Sequence, residues 1–132
     1  MAITTEQKIE MHELLSRLYA ALDSHDPEGF ASFFTPDGEF DAYALFTGRK
    51  AIADFIKEHI RRGNEDDARH VISNLIVEEV DGAPVIRSYI SKLRIQPQVG
   101  LVAYADLRAN IVKDGSSWKM SRLKLAITLS PS

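Results

Sequence analysis

Leu18-Tyr19-Ala20-Ala21-Leu22-Asp23-Ser24-His25-Asp26-Pro27, followed by Phe30, Phe33, Phe34, Pro36-Asp37-Gly38 and Phe40, is the segment from which the rest of the chain can be read. Its first half closes an amphipathic helix. Asp26-Pro27 opens another, because an Asp side chain caps the free amides of a first turn and Pro already has a helical φ. Phe30, Phe33 and Phe34 recur at helical spacing, so a short second helix over about 27–34 buries an aromatic edge. Pro36-Asp37-Gly38 is turn chemistry, and Glu39 to Tyr43 reads as a strand. Asp23 is the anomaly. It lies four residues after Tyr19 and eight after Leu15, on the apolar line of the first helix. A carboxylate on that line is half-buried, and burying a charge is costly without a partner.

Upstream, Thr4 and Gln7 fit a capping box that starts this helix. Ile9, Met11, Leu14, Leu15, Leu18, Tyr19 and Leu22 form its apolar face. Downstream, Thr47-Gly48 starts a third helix, with Ala51, Ile52, Phe55, Ile56 and Ile60 as its stripe. Arg61-Arg62-Gly63 ends it, with cations at the negative end of the helix dipole and Gly as the cap. Asn64 to Ala68 is a short acidic loop. From Arg69 the period changes from helical to alternating, which predicts strands at about 70–80, 84–96, 100–113 and 117–129. Asp81-Gly82 and Asp114-Gly115 are hairpin signals, and Gln96 to Gly100 is a looser turn. Helices first and an antiparallel meander second predict an α+β domain. It is a single domain over 1–132, and the strand near Glu39 extends its sheet.

Composition narrows the function classes. The chain has 132 residues, 45% hydrophobic and 27% charged, with a formal net charge of -3. That suits one soluble domain with one core. No basic run or stripe appears, so nucleic acid is not an expected partner. There is no cysteine, which excludes disulfides, thiol nucleophiles and thiolate metal sites and fits a cytoplasmic protein. The N-terminus lacks the basic and apolar regions of a signal peptide. No apolar run reaches membrane-spanning length. His12, His25 and His59 match no compact metal spacing, and they read as surface or edge residues. The sequence carries neither a Gly-rich phosphate loop nor a Gly-x-Ser-x-Gly elbow.

The order of these pieces resembles the nuclear transport factor two-like superfamily, in its SnoaL-like polyketide cyclase and dehydratase branch. The resemblance rests on Leu22-Asp23 with Asp26, Phe33-Phe34, Pro36-Asp37-Gly38, Gly48-Arg49 with Ile52, Arg69-His70 with Asn74, and Asp114-Gly115 with Trp118. It implies a cone-shaped, curved, mostly antiparallel sheet wrapped around three N-terminal helices, with a ligand cavity between them. It also implies a catalytic Asp–His dyad, Asp23 and His70, of the kind that dehydratase and dehydrochlorinase members use for proton abstraction and elimination.

A carboxylate on one ring nitrogen fixes the imidazole tautomer and raises the basicity of the other nitrogen. The alternative is that His70 caps a strand and Asp23 caps a helix end. Asn74 shares a strand face with His70 and Ile72 by alternation and could donate to a substrate oxygen. Tyr43 is a candidate pocket phenol. Phe30, Phe34, Phe40, Phe55 and Ile72 are expected to wall the pocket, together with Leu123, which stands where dehydrochlorinase-like members carry an inward arginine. Arg122 is its neighbour on the opposite face. Tyr104, Asp106 and Arg108 are expected on the outer sheet face with Trp118, Met120 and Lys124.

The expected function is cofactor-independent proton transfer on an apolar cyclic or polyketide-like molecule, by a lyase, isomerase or cyclase. The alternative is a non-catalytic ligand-binding or accessory subunit like the small subunit of ring-hydroxylating dioxygenases. The mixed outer face predicts a homodimer, with a trimer next.

Overall fold

The structure, a computed structural model, describes residues 2–129; Met1 and residues 130–132 of the expected single domain lie outside them. Helix α1 (Thr5–Asp23) starts in the expected capping box. The Thr4 hydroxyl accepts from the Gln7 amide at 3.1 Å, and Gln7 Oε1 accepts from the Thr4 amide at 2.9 Å. The helix ends where His25 takes a left-handed backbone (φ 59°), and the His25 and Asp26 amides fold back onto the Leu22 and Ala21 carbonyls. Asp26 then caps α2 (Pro27–Ser32) through the Gly29 amide. Helix α3 (Arg49–Arg61) follows Gly48.

The strands are β1 (Phe34–Asp41), β2 (Leu45–Thr47), β3 (Ala68–Val80), β4 (Ala83–Arg94), β5 (Gly100–Asp114) and β6 (Ser117–Leu129). They form one six-stranded sheet in the order β2-β1-β6-β5-β4-β3. All pairings are antiparallel except β1 on β6. The result is the expected α+β arrangement. The helices cover one sheet face, where Met11, Leu15, Leu18, Phe30, Ile52 and Ile56 bury against the inward residues of the strands. Each such side chain taken fully out of water stabilises by about 1.5–3 kcal/mol.

Three local features differ from the expectations. Pro36-Asp37-Gly38 does not make a free turn. It lies inside β1, in the irregular stretch between the Phe34 and Glu39 pairings with β6, where a Cβ on Gly38 would stand 3.1 Å from the Met120 carbonyl oxygen. The three-residue β2 pairs back on β1 as an extra edge strand. The third difference is a face inversion in β6. A register shift leaves Ser121 unpaired between Met120 and Arg122, and an extra residue of this kind exchanges the two faces of a strand. Met120 is therefore fully buried. Trp118 turns towards α1, where its Nε1–H donates to Glu10 Oε2 at 2.6 Å. Arg122 pairs with Glu39 and Asp41 of β1 at 2.9 Å each.

Candidate functional site

An apolar cavity of about 80 Å³ lies between the helices and the inner sheet face. Tyr19 and Leu22 of α1, Phe40 of β1 and Phe55 of α3 wall it on one side, and Ile90, Leu125 and Ile127 on the other. It leads into a more polar mouth of about 620 Å³; Tyr43, Phe55, His59 and Lys92 border both spaces. The inner space alone is below the few hundred Å³ of typical ligand sites, and the mouth brings it into that range.

Asp23 and His70 meet at the wall of this cavity. Asp23 stands in the last turn of α1 and His70 near the start of β3. Asp23 Oδ1 accepts from His70 Nδ1 at 2.7 Å, and Asp23 Oδ2 accepts from the His70 backbone amide at 3.2 Å. Both side chains are largely buried, at 18% and 8% exposure. The Tyr19 ring packs over the imidazole, with centroids 5.0 Å apart. With Nδ1–H given to the carboxylate, the lone pair of the neutral imidazole form lies on Nε2. No described residue pairs with it.

A second buried pair was not expected. Lys92 Nζ lies 2.7 Å from Glu65 Oε1, with side-chain exposures of 16% and 3%. Glu65 belongs to the loop read as merely acidic. His25 Nε2 donates to the Glu65 carbonyl at 2.9 Å, and the Ile95 amide donates to the Asp67 carbonyl at 2.8 Å, so the loop is tied down on both sides. The second carboxylate oxygen of Glu65 and the Tyr19 hydroxyl are buried without a hydrogen-bond partner among the described residues. Burial pushes the Tyr19 phenol far above its ordinary range, and the Glu65 and Asp23 charges push it further. Tyr19 therefore stays a hydrogen-bond donor.

His59 is also a cavity residue rather than an edge residue. It packs on Phe55 and edge-on to Tyr43. Asn64 Nδ2 donates to its Nδ1 at 2.8 Å. Burial holds the imidazole below its ordinary range; Lys92 and Arg62 act in the same direction and Glu65 opposes them.

Of the other expected site residues, Phe30, Phe40, Phe55 and Tyr43 border the cavity, Tyr43 at its exposed rim. Four do not. Phe34 is fully buried behind it, against Phe30 and Phe40. Asn74 has φ 54° in the bulge between Ser73 and Ile76 of β3, which turns it to the outer face, exposed. Ile72 keeps to the inner face opposite Ile90 and packs on the core without reaching the cavity. Leu123 is fully buried between Phe40 and Ala109; Leu125 and Ile127 take the wall position instead.

Two signals in the sequence point to what was missed. His59 follows Ile52, Phe55 and Ile56 at helical spacing, and Lys92 continues the inward line of Ile86, Ser88 and Ile90. Among the described residues, no group of three or more His, Cys, Asp or Glu side chains converges as a metal site would require. No described helix is long and apolar enough to cross a membrane.

Helices on one face of a bulged six-stranded sheet, with a buried Asp–His pair beside an open-mouthed apolar cavity, define a small α+β pocket domain. The chain belongs to the SnoaL-like domain family, whose model matches residues 4–124. It therefore lies in the nuclear transport factor two-like superfamily. It is similar to a protein of this type with a cystatin-like fold from Novosphingobium aromaticivorans, at 25% identity over 93% of this chain and 82% of that one, TM-score 0.83. ActVI-ORFA from Streptomyces coelicolor matches at 14% identity over 95% and 97%, TM-score 0.82. A Catenulispora acidiphila protein in complex with S-DNPA matches at 23% identity over 94% and 95%, TM-score 0.82. The last two likenesses concern the fold. No curated protein matches the sequence significantly.

Proposed function

We propose that the protein is a small enzyme that moves a proton on an apolar, cyclic or polyketide-like molecule, with His70 as general base and acid and Asp23 as its orienting partner. The family includes polyketide cyclases and related proteins, and the finer reading is carried by one observation. The 2.7 Å bond from His70 Nδ1 to Asp23 leaves Nε2 bare on a residue that borders an apolar cavity. A base in such a place needs only a bound C–H or O–H within about 2.6–3.2 Å, directly or through one water. This chemistry calls for no cofactor. The test is a thermal-shift screen of cyclic ketones and alcohols, followed by proton exchange of the hits in D2O. Wild-type protein should exchange a proton of its ligand, and His70→Ala should bind the ligand without exchanging it. Equal exchange by both proteins would remove His70 from the chemistry.

The small inner volume favours a second reading, a non-catalytic ligand-binding or accessory domain. Ligands that raise the melting temperature and are never turned over would support it. The expected homodimer, or trimer, keeps the outer sheet face but not all of the residues expected on it. Met120 and Trp118 do not face outward, while Val71, Ile76 and Tyr89 are exposed and the Tyr89 ring lies 6.1 Å from Tyr104. We infer self-association through this outer face; a 14.8 kDa particle by light scattering at micromolar concentration would contradict it.

A further inference from the structure

We propose that Lys92, held by Glu65, is the oxyanion-binding group of the cavity, and that the substrate is therefore a carbonyl compound with a proton on the carbon beside the carbonyl. The proposal deepens the proton-transfer reading of Asp23 and His70 and rests on it. Three observations carry it. His70 and Lys92 are directly opposed on β3 and β4, and directly opposed residues hold their Cβ atoms about 4.5–5.5 Å apart. Both border the same cavity. A lysine ammonium has three donors, and among the described residues Lys92 gives only one, to Glu65.

The burial itself asks for an explanation. Replacing a buried ion pair by apolar side chains of similar volume is often neutral or stabilising. A wall that only had to enclose hydrocarbon would do as well with a leucine at 92 and no acid at 65. A cation beside the base has a use when negative charge develops one or two atoms from the proton being removed. Donors already in place for that charge, in a site with little water, are among the largest contributions to catalysis.

In the step this defines, His70 Nε2 takes the proton from the carbon next to the carbonyl. The C–H electron pair becomes the new carbon–carbon double bond, the carbonyl π pair moves to oxygen, and a Lys92 N–H donates to the enolate oxygen. His70 then returns the proton. Delivered to a different carbon of the enolate system, it completes an isomerisation. Delivered to a hydroxyl on the β-carbon, it releases water and regenerates the carbonyl. Glu65 is a positioning residue here. It compensates the charge of Lys92 in the empty cavity and keeps the side chain from folding out into the mouth.

The probe is 4-nitrophenol, whose phenolate mimics an enolate and is distinguished from the phenol by its absorbance. Wild-type protein should bind it with about a tenfold preference for the anion, which lowers its apparent pKa by about one unit. Lys92→Met should abolish the preference. Because that change strands Glu65, the double variant Lys92→Met, Glu65→Gln is titrated beside it, each after a check of its circular dichroism. His70→Gln should keep the preference. A phenolate preference that persists in both lysine variants, or no saturable binding to the wild type, overturns the proposal. If the preference depends on Lys92 while His70→Gln retains full proton exchange, the anion site stands and the proton-transfer reading falls.

Discussion

His70, held by Asp23, and the Glu65–Lys92 pair border the same cavity, and the two pairs are built in different ways. Asp23 uses both oxygens on one residue, one on the ring and one on the backbone amide of His70. The imidazole is thus fixed in position and in tautomer, and its charge is of secondary importance. Glu65 uses one oxygen, and its other oxygen has no hydrogen-bond partner among the described residues, where Lys92 donates only to Glu65. On the proposed reading, the first pair aims a lone pair and the second holds a charge near where that lone pair would act, and in both a carboxylate prepares its partner.

Breaking the two pairs should therefore have different consequences. The largest expected effect is on turnover. His70→Ala should lower the rate on the true substrate by about 10²- to 10⁴-fold, the span for a positioned acid–base group. Asp23→Asn should also lose much of the activity, because an amide can hold the ring in the wrong tautomer. Steady-state kinetics on the first ligand found to exchange would measure both.

The second effect is on stability. Lys92→Met leaves a carboxylate buried and alone, which typically costs about 3–5 kcal/mol, whereas replacing both partners is near neutral. Urea melts of Lys92→Met and of Lys92→Met, Glu65→Leu should therefore differ, with the double variant the more stable. A double variant no more stable than the single one would mean that the pair contributes through more than its own charges.

The third effect concerns pH and His59, which touches the rim of both spaces. Its ring is held below the ordinary range by burial, so the unfolded chain takes up the proton first. The resulting stability is present above the unfolded value of about 6.5 and is lost as pH falls through the folded value. His59→Gln should flatten the fall in melting temperature between about pH 7 and pH 5. An unchanged slope would show that other groups control it. The smallest effect is expected for Tyr19→Phe. The hydroxyl has no hydrogen-bond partner among the described residues, so its removal should leave stability within about 1 kcal/mol of wild type, while ligands that accept from it bind less tightly.

Much of this was legible in the sequence wherever a period ran without interruption. Asp23 stood out because a charge interrupted an apolar helical line, and His70 through the resemblance to the SnoaL-like branch. Alternation failed where an extra residue enters a strand, and two of these places decided the site assignments. Asn74 leaves the face of His70 through the bulge in β3, and the unpaired Ser121 sends Met120 inward, onto the same face as Leu123. A bulge of this kind leaves no mark in composition, and it breaks the alternation between the residues on its two sides. Lys92 did leave a mark, as a charge on the inward line of β4. Glu65 left none. It sits between Asn64 and Asp66 in a loop with no period, and its burial is decided by a lysine 27 residues away.

The central claim is that Asp23 holds His70 with its proton on Nδ1 and leaves Nε2 bare. The most direct measurement is the nitrogen NMR spectrum of 15N-histidine-labelled protein at neutral pH, with the His70 signals assigned by their loss in His70→Gln. The account predicts a protonated Nδ1 and an unprotonated Nε2, and a change in that pattern in Asp23→Asn. A proton on Nε2 with Nδ1 bare, unaffected by Asp23→Asn, would contradict it.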